Sequence, residues 1–353
     1  MPAGVRRRMT VRILQGDCLE VLATLPAGSV NCCVTSPPYW GLRDYGVAGQ
    51  LGLESTPQEY VEKMVAVFAD VRRVLRDDGT LWLNLGDSYC PVNRGENARP
   101  RTETLTGLQV ANPHSDIRTV KESIRGVAAM GIKTKDLVGA PWRVAFALQA
   151  DGWYLRQDII WSKPNPMPES VRDRCTKAHE YLFLLAKSER YYFDADAIQE
   201  PFADERMGAS ATQSLRYSEL SGRNGDSGLG GRPKSYRGST FTQGKTAAIK
   251  PNVGQGEREE ADGRNKRSVW TVATQPFKEA HFATFPPKLI EPCILSGCPV
   301  GGTVLDPFGG AGTTGLVADR MGRDAILIEL NPEYADMARK RIKGDSPLFA
   351  EVA

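Results

Sequence analysis

The chain has 353 residues and a mass of 38.7 kDa, with 41% hydrophobic and 25% charged side chains, which excludes disorder throughout and leaves room for one large domain or two small ones. A net charge of +3 and a pI near 8.4 exclude a general polycation, so any affinity for nucleic acid must come from local patches. Seven cysteines without a C-x-x-C pair, three histidines and no long apolar window argue against a zinc site, a disulfide framework and a membrane span, and for a reducing cytoplasm.

Val11 to Leu14 and Val30 to Val34 are short apolar runs ending at polar or proline-rich turns, as buried parallel strands do. The second leads into Thr35-Ser36-Pro37-Pro38-Tyr39-Trp40. Pro38 holds Pro37 extended and Pro37 does the same for Ser36, so this segment offers a hydroxyl, outward carbonyls and two aromatic faces on a stiff backbone. Such an acceptor cluster suits a planar amine.

Between Pro57 and Leu75 apolar residues recur at helical spacing, and Asp77-Asp78-Gly79 is read as the stop. Thr80 to Leu85 reads as the next strand, so the opening pattern is one of crossover units on a parallel sheet. Residues 93–135 lack periodicity, and Arg94, Arg99, Arg101, Arg118, Lys121, Arg125, Lys133 and Lys135 outnumber Glu96, Glu103, Asp116 and Glu122 there. Order resumes with a helix over Val138 to Gln149 and strands ending at Trp161 and Leu185.

From Ala195 to about Arg267 the composition turns to Gly, Ser, Arg and Asn. Arg223, Arg232, Lys234, Arg237 and Lys245 lie there among Tyr217, Tyr236 and Phe241, a mixture suited to phosphates and bases or to a flexible linker. Pro292-Cys293 is the one Pro-Cys pair, a candidate thiol nucleophile, but its apolar surroundings read as a packed helix.

Val304 to Gly315 reads as strand, glycine turn and helix start: Gly310, Gly312 and Gly315 satisfy G-x-G-x-x-G, and Glu329 ends the next strand. That pattern implies an adenosine-type ligand and leaves a nicotinamide or flavin oxidoreductase open. The prefix Asp306-Pro307-Phe308 has no use in the dinucleotide fingerprint. It suits S-adenosyl-L-methionine, whose methionine end carries an ammonium and a sulfonium.

Thr35 to Trp40 together with Asp306-Pro307-Phe308 and its glycines resembles the amino-methylating DNA methyltransferases, in the beta order where the catalytic motif comes first and the cofactor loop last. DIIWSKPNP (158–166), ESVR (169–172), HEYLFLL (179–185) and HFATFPPKLI (281–290) are similar to stretches of the same family. The resemblance implies a circularly permuted S-adenosylmethionine-dependent α/β fold, with about seven mainly parallel strands and helices on both faces. It implies a catalytic half over 1–194, a target-recognition region over 195–268 and a cofactor half over 269–353.

By that resemblance Ser36, Pro37, Pro38 and Tyr39 would be catalytic, with Tyr39 stacking on a flipped base. Asp306, Phe308, Gly310, Gly312, Thr313 and Thr314 would line the methionine half of the cofactor. Glu329 would take the ribose and Asp17 the adenine amine, unless Asp17 merely caps the following helix; Phe282, Thr284 and Pro286 would close the pocket. Trp40 and the five cations from Arg223 to Lys245 would meet double-stranded DNA. Serine at position 36 favours cytosine N4 over adenine N6; a restriction endonuclease partner and the choice of monomer or homodimer stay open.

Overall fold

The computed structural model describes residues 9–41, 45–90, 131–201, 263–275 and 285–345, with the backbone of 350–352. The chain forms two compact units, Met1–Ile198 with Arg267–Ala353, and Gln199–Lys266. In the second, the described ends pair through an antiparallel bridge between Glu200 and Arg264.

The first unit is built from β1 (Met9–Gln15), α1 (Cys18–Thr24), β2 (Val30–Thr35), α2 (Pro57–Val74), β3 (Leu75–Leu85), α3 (Ala140–Ala150), β4 (Tyr154–Ser162) and β5 (His179–Ala186). Beyond the other unit follow β6 (Val269–Thr271), α4 (Pro287–Gly297), β7 (Thr303–Asp306), α5 (Thr313–Arg320), β8 (Asp324–Glu329), α6 (Pro332–Asp345) and β9 (Ala350–Val352). The strands form a nine-stranded sheet in the order β6-β4-β5-β3-β2-β7-β8-β1-β9, parallel at every pairing except the two made by β5.

All seven strands read from the sequence are present, and the sheet is wider than expected by β6 and β9, three residues each, one at either edge. Three residues are too few to show a period. The stop of α2 also differs: the helix ends at Val74, Leu75 turns extended, and Asp77-Asp78-Gly79 lies inside β3. The step from Val30 to Cys32 on β2 faces the step from Leu75 to Thr80 on β3, so these residues form a bulge.

Alternation along the strands sends side chains to two cores. Cys33, Leu81, Leu83, Phe183 and Leu305 pack under α1, α2 and α3, while Cys32, Val34, Trp82, Leu184 and Val304 pack under α4, α5 and α6. Helix α2 shows why it seats there. Thr56 caps it by accepting the Glu59 N–H, Pro57 opens it, and Tyr60, Met64, Val67, Phe68, Val71 and Val74 form one buried stripe. Each such side chain contributes roughly 1.5–3 kcal/mol of burial energy.

The strand order matters for function. β7, which carries the glycine loop, lies between β2 and β8, and β1 lies beyond β8, so the ends of the first and last thirds of the chain share one carboxyl edge. Antiparallel β5 begins on that same edge.

Candidate active site

Two polar centres stand on this edge. The first is Asp306 at the end of β7, buried at 1% exposure. Its Oδ1 accepts the Thr35 hydroxyl at 2.6 Å and the Phe308 N–H at 3.0 Å, and its Oδ2 accepts the Thr314 hydroxyl at 2.6 Å. Burial pushes its carboxyl up to about 6 even though these donors favour the charged form.

Next to it the glycine loop runs into α5. Gly310 and Gly312 have positive φ of 49° and 77°, which glycine adopts without strain. They differ in what surrounds them. A Cβ on Gly312 would stand 2.8 Å from the Ala338 Cβ, so this glycine allows α6 to approach, whereas a Cβ on Gly310 would meet nothing nearer than Phe308 O at 3.9 Å. The open side of the loop is therefore at Gly310.

Glu329, at the end of β8, faces that opening: its Oε2 accepts the Gly310 N–H at 2.7 Å and its Oε1 the Asn331 N–H at 2.8 Å. Burial raises its carboxyl above the usual range, partly offset by those two N–H groups. Asp17 belongs to the same corner, since β1 and β8 run in register to Gln15 opposite Glu329 and the Gly16 N–H donates to Glu329 O at 3.0 Å. Its Oδ1 caps α1, accepting the Leu19 and Glu20 N–H groups at 2.9 and 3.2 Å.

One buried and one half-buried carboxyl whose ionised forms gain from a cation, beside a loop open at a glycine, fit a ligand with positive charge and hydroxyls. S-adenosyl-L-methionine is such a ligand. Thr313 and Thr314 are both buried; Thr313 Oγ1 accepts from Arg341 at 3.0 Å and Thr314 from its place on Asp306 also reaches Val34 O at 3.3 Å, so both hydroxyls brace the loop. Phe308 packs partly buried against the first core, and Pro286 is buried where it precedes α4.

The second centre is the segment after β2. Pro37 is buried, while Ser36, Pro38 and Tyr39 are half-buried, and the Pro38 carbonyl accepts the Tyr60 hydroxyl at 2.9 Å. Ser36 Oγ donates to the Tyr39 hydroxyl at 3.2 Å, and the phenol donates to Glu180 Oε2 at 2.8 Å with Asn84 Oδ1 at 3.0 Å. Burial first, and then the charge of Glu180, hold that phenol well above its ordinary range. Lys163 pairs with Glu180 Oε1 and lies 4.3 Å from the Trp161 ring centre.

The structure corrects the reading of Trp40 as a DNA contact. Its side chain is 6% exposed within the first core and its indole N–H is given to Glu54 O at 2.9 Å, which leaves no face for a duplex. Cys293 is likewise fully buried in α4, with its Sγ 3.7 Å from Leu289 O. Phe282, Thr284, Arg223, Arg232, Lys234, Arg237 and Lys245 lie outside the described residues.

Glu180, Asn84 and Lys163 were not singled out from the sequence, although they sit in or beside the strands whose wording resembles the family. Lys177 joins them: its amine is buried, has no hydrogen-bond partner among the described residues, and is pushed down by burial against the opposing pull of Asp87, Glu180 and Glu169. Among the described residues no helix is long and apolar enough to cross a membrane.

The family model described as DNA methylase, covering N6 and N4 methyltransferases, matches residues 30–340. The type II methyltransferase M.Cfr9I of Citrobacter freundii is 42% identical over 341 residues, 97% of this chain and 90% of its own length. M.XycI of Xanthomonas campestris pv. cyanopsidis is 43% identical over 363 residues, covering 100% and 97%. Among solved structures, the cytosine-N4-specific PvuII DNA methyltransferase shares the fold at a TM-score of 0.54 and 17% identity, covering 99% of this chain and 98% of its own. The S-adenosyl-L-methionine complex of a putative DNA modification methylase from Thermus thermophilus does so at 0.53 and 22%, covering 97% and 99%.

Proposed function

The chain belongs to the amino-methylating DNA methyltransferases, enzymes that use S-adenosyl-L-methionine, and from this premise we propose that it methylates the N4 amine of cytosine in duplex DNA at a specific site. The observation that carries the reading is Ser36, a half-buried hydroxyl followed by two prolines at the end of β2, next to the strand that bears the cofactor loop.

An exocyclic amine is a poor nucleophile because its lone pair is delocalised into the ring. Ser36 Oγ and the Pro37 carbonyl would accept its two protons and draw the nitrogen toward tetrahedral geometry. Bound S-adenosyl-L-methionine supplies an electrophilic methyl on a sulfonium. Asp306 would balance the cofactor's positive end and Glu329 would accept from the ribose hydroxyls, each carboxylate oxygen having a lone pair beyond the bonds it already makes. The tie from Thr35 to Asp306 sets the two centres at a fixed separation.

Tyr39 would form one wall for a base taken out of the stack, since chemistry on an amine inside the duplex is sterically closed. The cations Arg223, Arg232, Lys234, Arg237 and Lys245 are assigned to phosphate and base contacts in a target-recognition region over 195–268. A restriction endonuclease acting on the same site is the fitting partner for an enzyme whose relatives are type II methyltransferases.

The test is methylation of a mixed-sequence duplex with labelled cofactor, followed by nucleoside analysis. Labelled N4-methylcytosine supports the reading. N6-methyladenine selects the other amine of the same family, and no labelled nucleoside overturns both.

A further inference from the structure

We propose that Glu180 is the end of a proton path that leads from the target amine through the Ser36 hydroxyl and the Tyr39 phenol. The inference rests on amine methylation and holds for cytosine or adenine alike.

Methyl transfer leaves a proton to be removed. The nitrogen lone pair forms the new N–C bond while the S–C bond breaks and its electron pair stays on sulfur, so the product amine is briefly cationic and must lose one proton. Neither Ser36 nor Pro37 can keep it, because a protonated hydroxyl or carbonyl is a strong acid. A carboxylate within relay distance is the group required.

Three hydrogen-bonded atoms already stand in that order. Ser36 Oγ donates to Tyr39 Oη at 3.2 Å, and Tyr39 Oη donates to Glu180 Oε2 at 2.8 Å. As Ser36 takes the amine proton it passes its own to the phenol oxygen, which passes its own to Glu180; one proton enters and one ends on the carboxylate. Each oxygen keeps its bond count. The phenol itself is held well above its ordinary range by burial and Glu180, so it acts as a conduit and does not stay ionised.

The surroundings hold the path in place. A Cβ on Gly86 would stand 2.5 Å from Tyr39 Cε2, so the ring lies directly over that glycine. Asn84 Nδ2 donates to Tyr181 O at 3.0 Å and presents its carbonyl to the phenol, and Lys163 binds the other oxygen of Glu180. The glutamate side chain keeps 17% exposure, enough to hand the proton to water. Among the described residues, Lys163 and Tyr39 contact it directly and the charges of Lys177 and His179 interact with it.

Glu180→Gln keeps an acceptor for Tyr39 but has no basic oxygen, and Tyr39→Phe keeps the ring but breaks the path. In single turnover with both substrates saturating, each should lose about a hundredfold in rate, with Kd for DNA and cofactor changed less than about twofold. The double variant should be no slower than the slower single one. In the full-length enzyme Glu180→Asp should recover part of the rate.

A rate within about twofold of wild type for either Glu180→Gln or Tyr39→Phe overturns the path, as does a fully additive double variant. Failure of the cytosine assignment looks different, because it shows as N6-methyladenine made by the unaltered enzyme.

Discussion

Thr35 and Asp306 are 271 positions apart, yet the Thr35 hydroxyl donates to Asp306 Oδ1 at 2.6 Å. One residue ends β2 and precedes the Ser-Pro-Pro-Tyr segment; the other ends β7 and precedes the glycine loop. Their bond couples the Ser-Pro-Pro-Tyr segment to the acid that precedes the glycine loop. It also explains how Asp306 survives at 1% exposure, since an ionised carboxylate without donors would be far more costly there.

Asp306 should make stability and, in the proposed cofactor site, cofactor binding depend on pH. Its folded carboxyl holds a proton up to about 6, against an ordinary value of 3.8, so between these values the folded state binds more protons than the unfolded one. Stability therefore falls as pH rises through that window, by on the order of 3 kcal/mol from this group. Asp306→Asn should flatten this contribution in urea titrations from pH 4 to 7. A cationic cofactor favours the ionised acid, so its affinity should weaken as pH drops below about 6 in wild type only.

Glu329→Ala should weaken S-adenosyl-L-methionine binding by about tenfold to a hundredfold, the range for a lost hydrogen bond to a charged group. Duplex affinity should be unchanged. Calorimetry on the two ligands separately checks this, and an unaltered cofactor Kd would remove Glu329 from the ribose.

Trp40→Phe should leave duplex affinity within about twofold while lowering stability by roughly 1–3 kcal/mol, because Glu54 O loses its donor. Fluorescence anisotropy with denaturant melts distinguishes the outcomes. Weaker DNA binding at unchanged stability would return Trp40 to the interface.

Cys293→Ala should retain methyl transfer and lose about 1 kcal/mol of stability from the small void in α4. A carbon-5 cytosine enzyme would instead lose turnover entirely with its nucleophile.

The amino-acid sequence determined the seven main strands, the helices between them and the two motifs, because period, capping residues and glycine spacing are local properties. Their order along the chain also carried the permutation. What it left undecided depends on which distant residues meet. Tyr39 finds Asn84 45 positions away and Glu180 141 away, only because β3 pairs with antiparallel β5 in the register that sets Asn84 opposite Leu182. Asp17 turned out to cap α1, and Trp40, read as a DNA contact, turned inward to Glu54. Burial and pairing are set by the whole sheet, so the tertiary structure alone decided which polar groups face one another across its carboxyl edge.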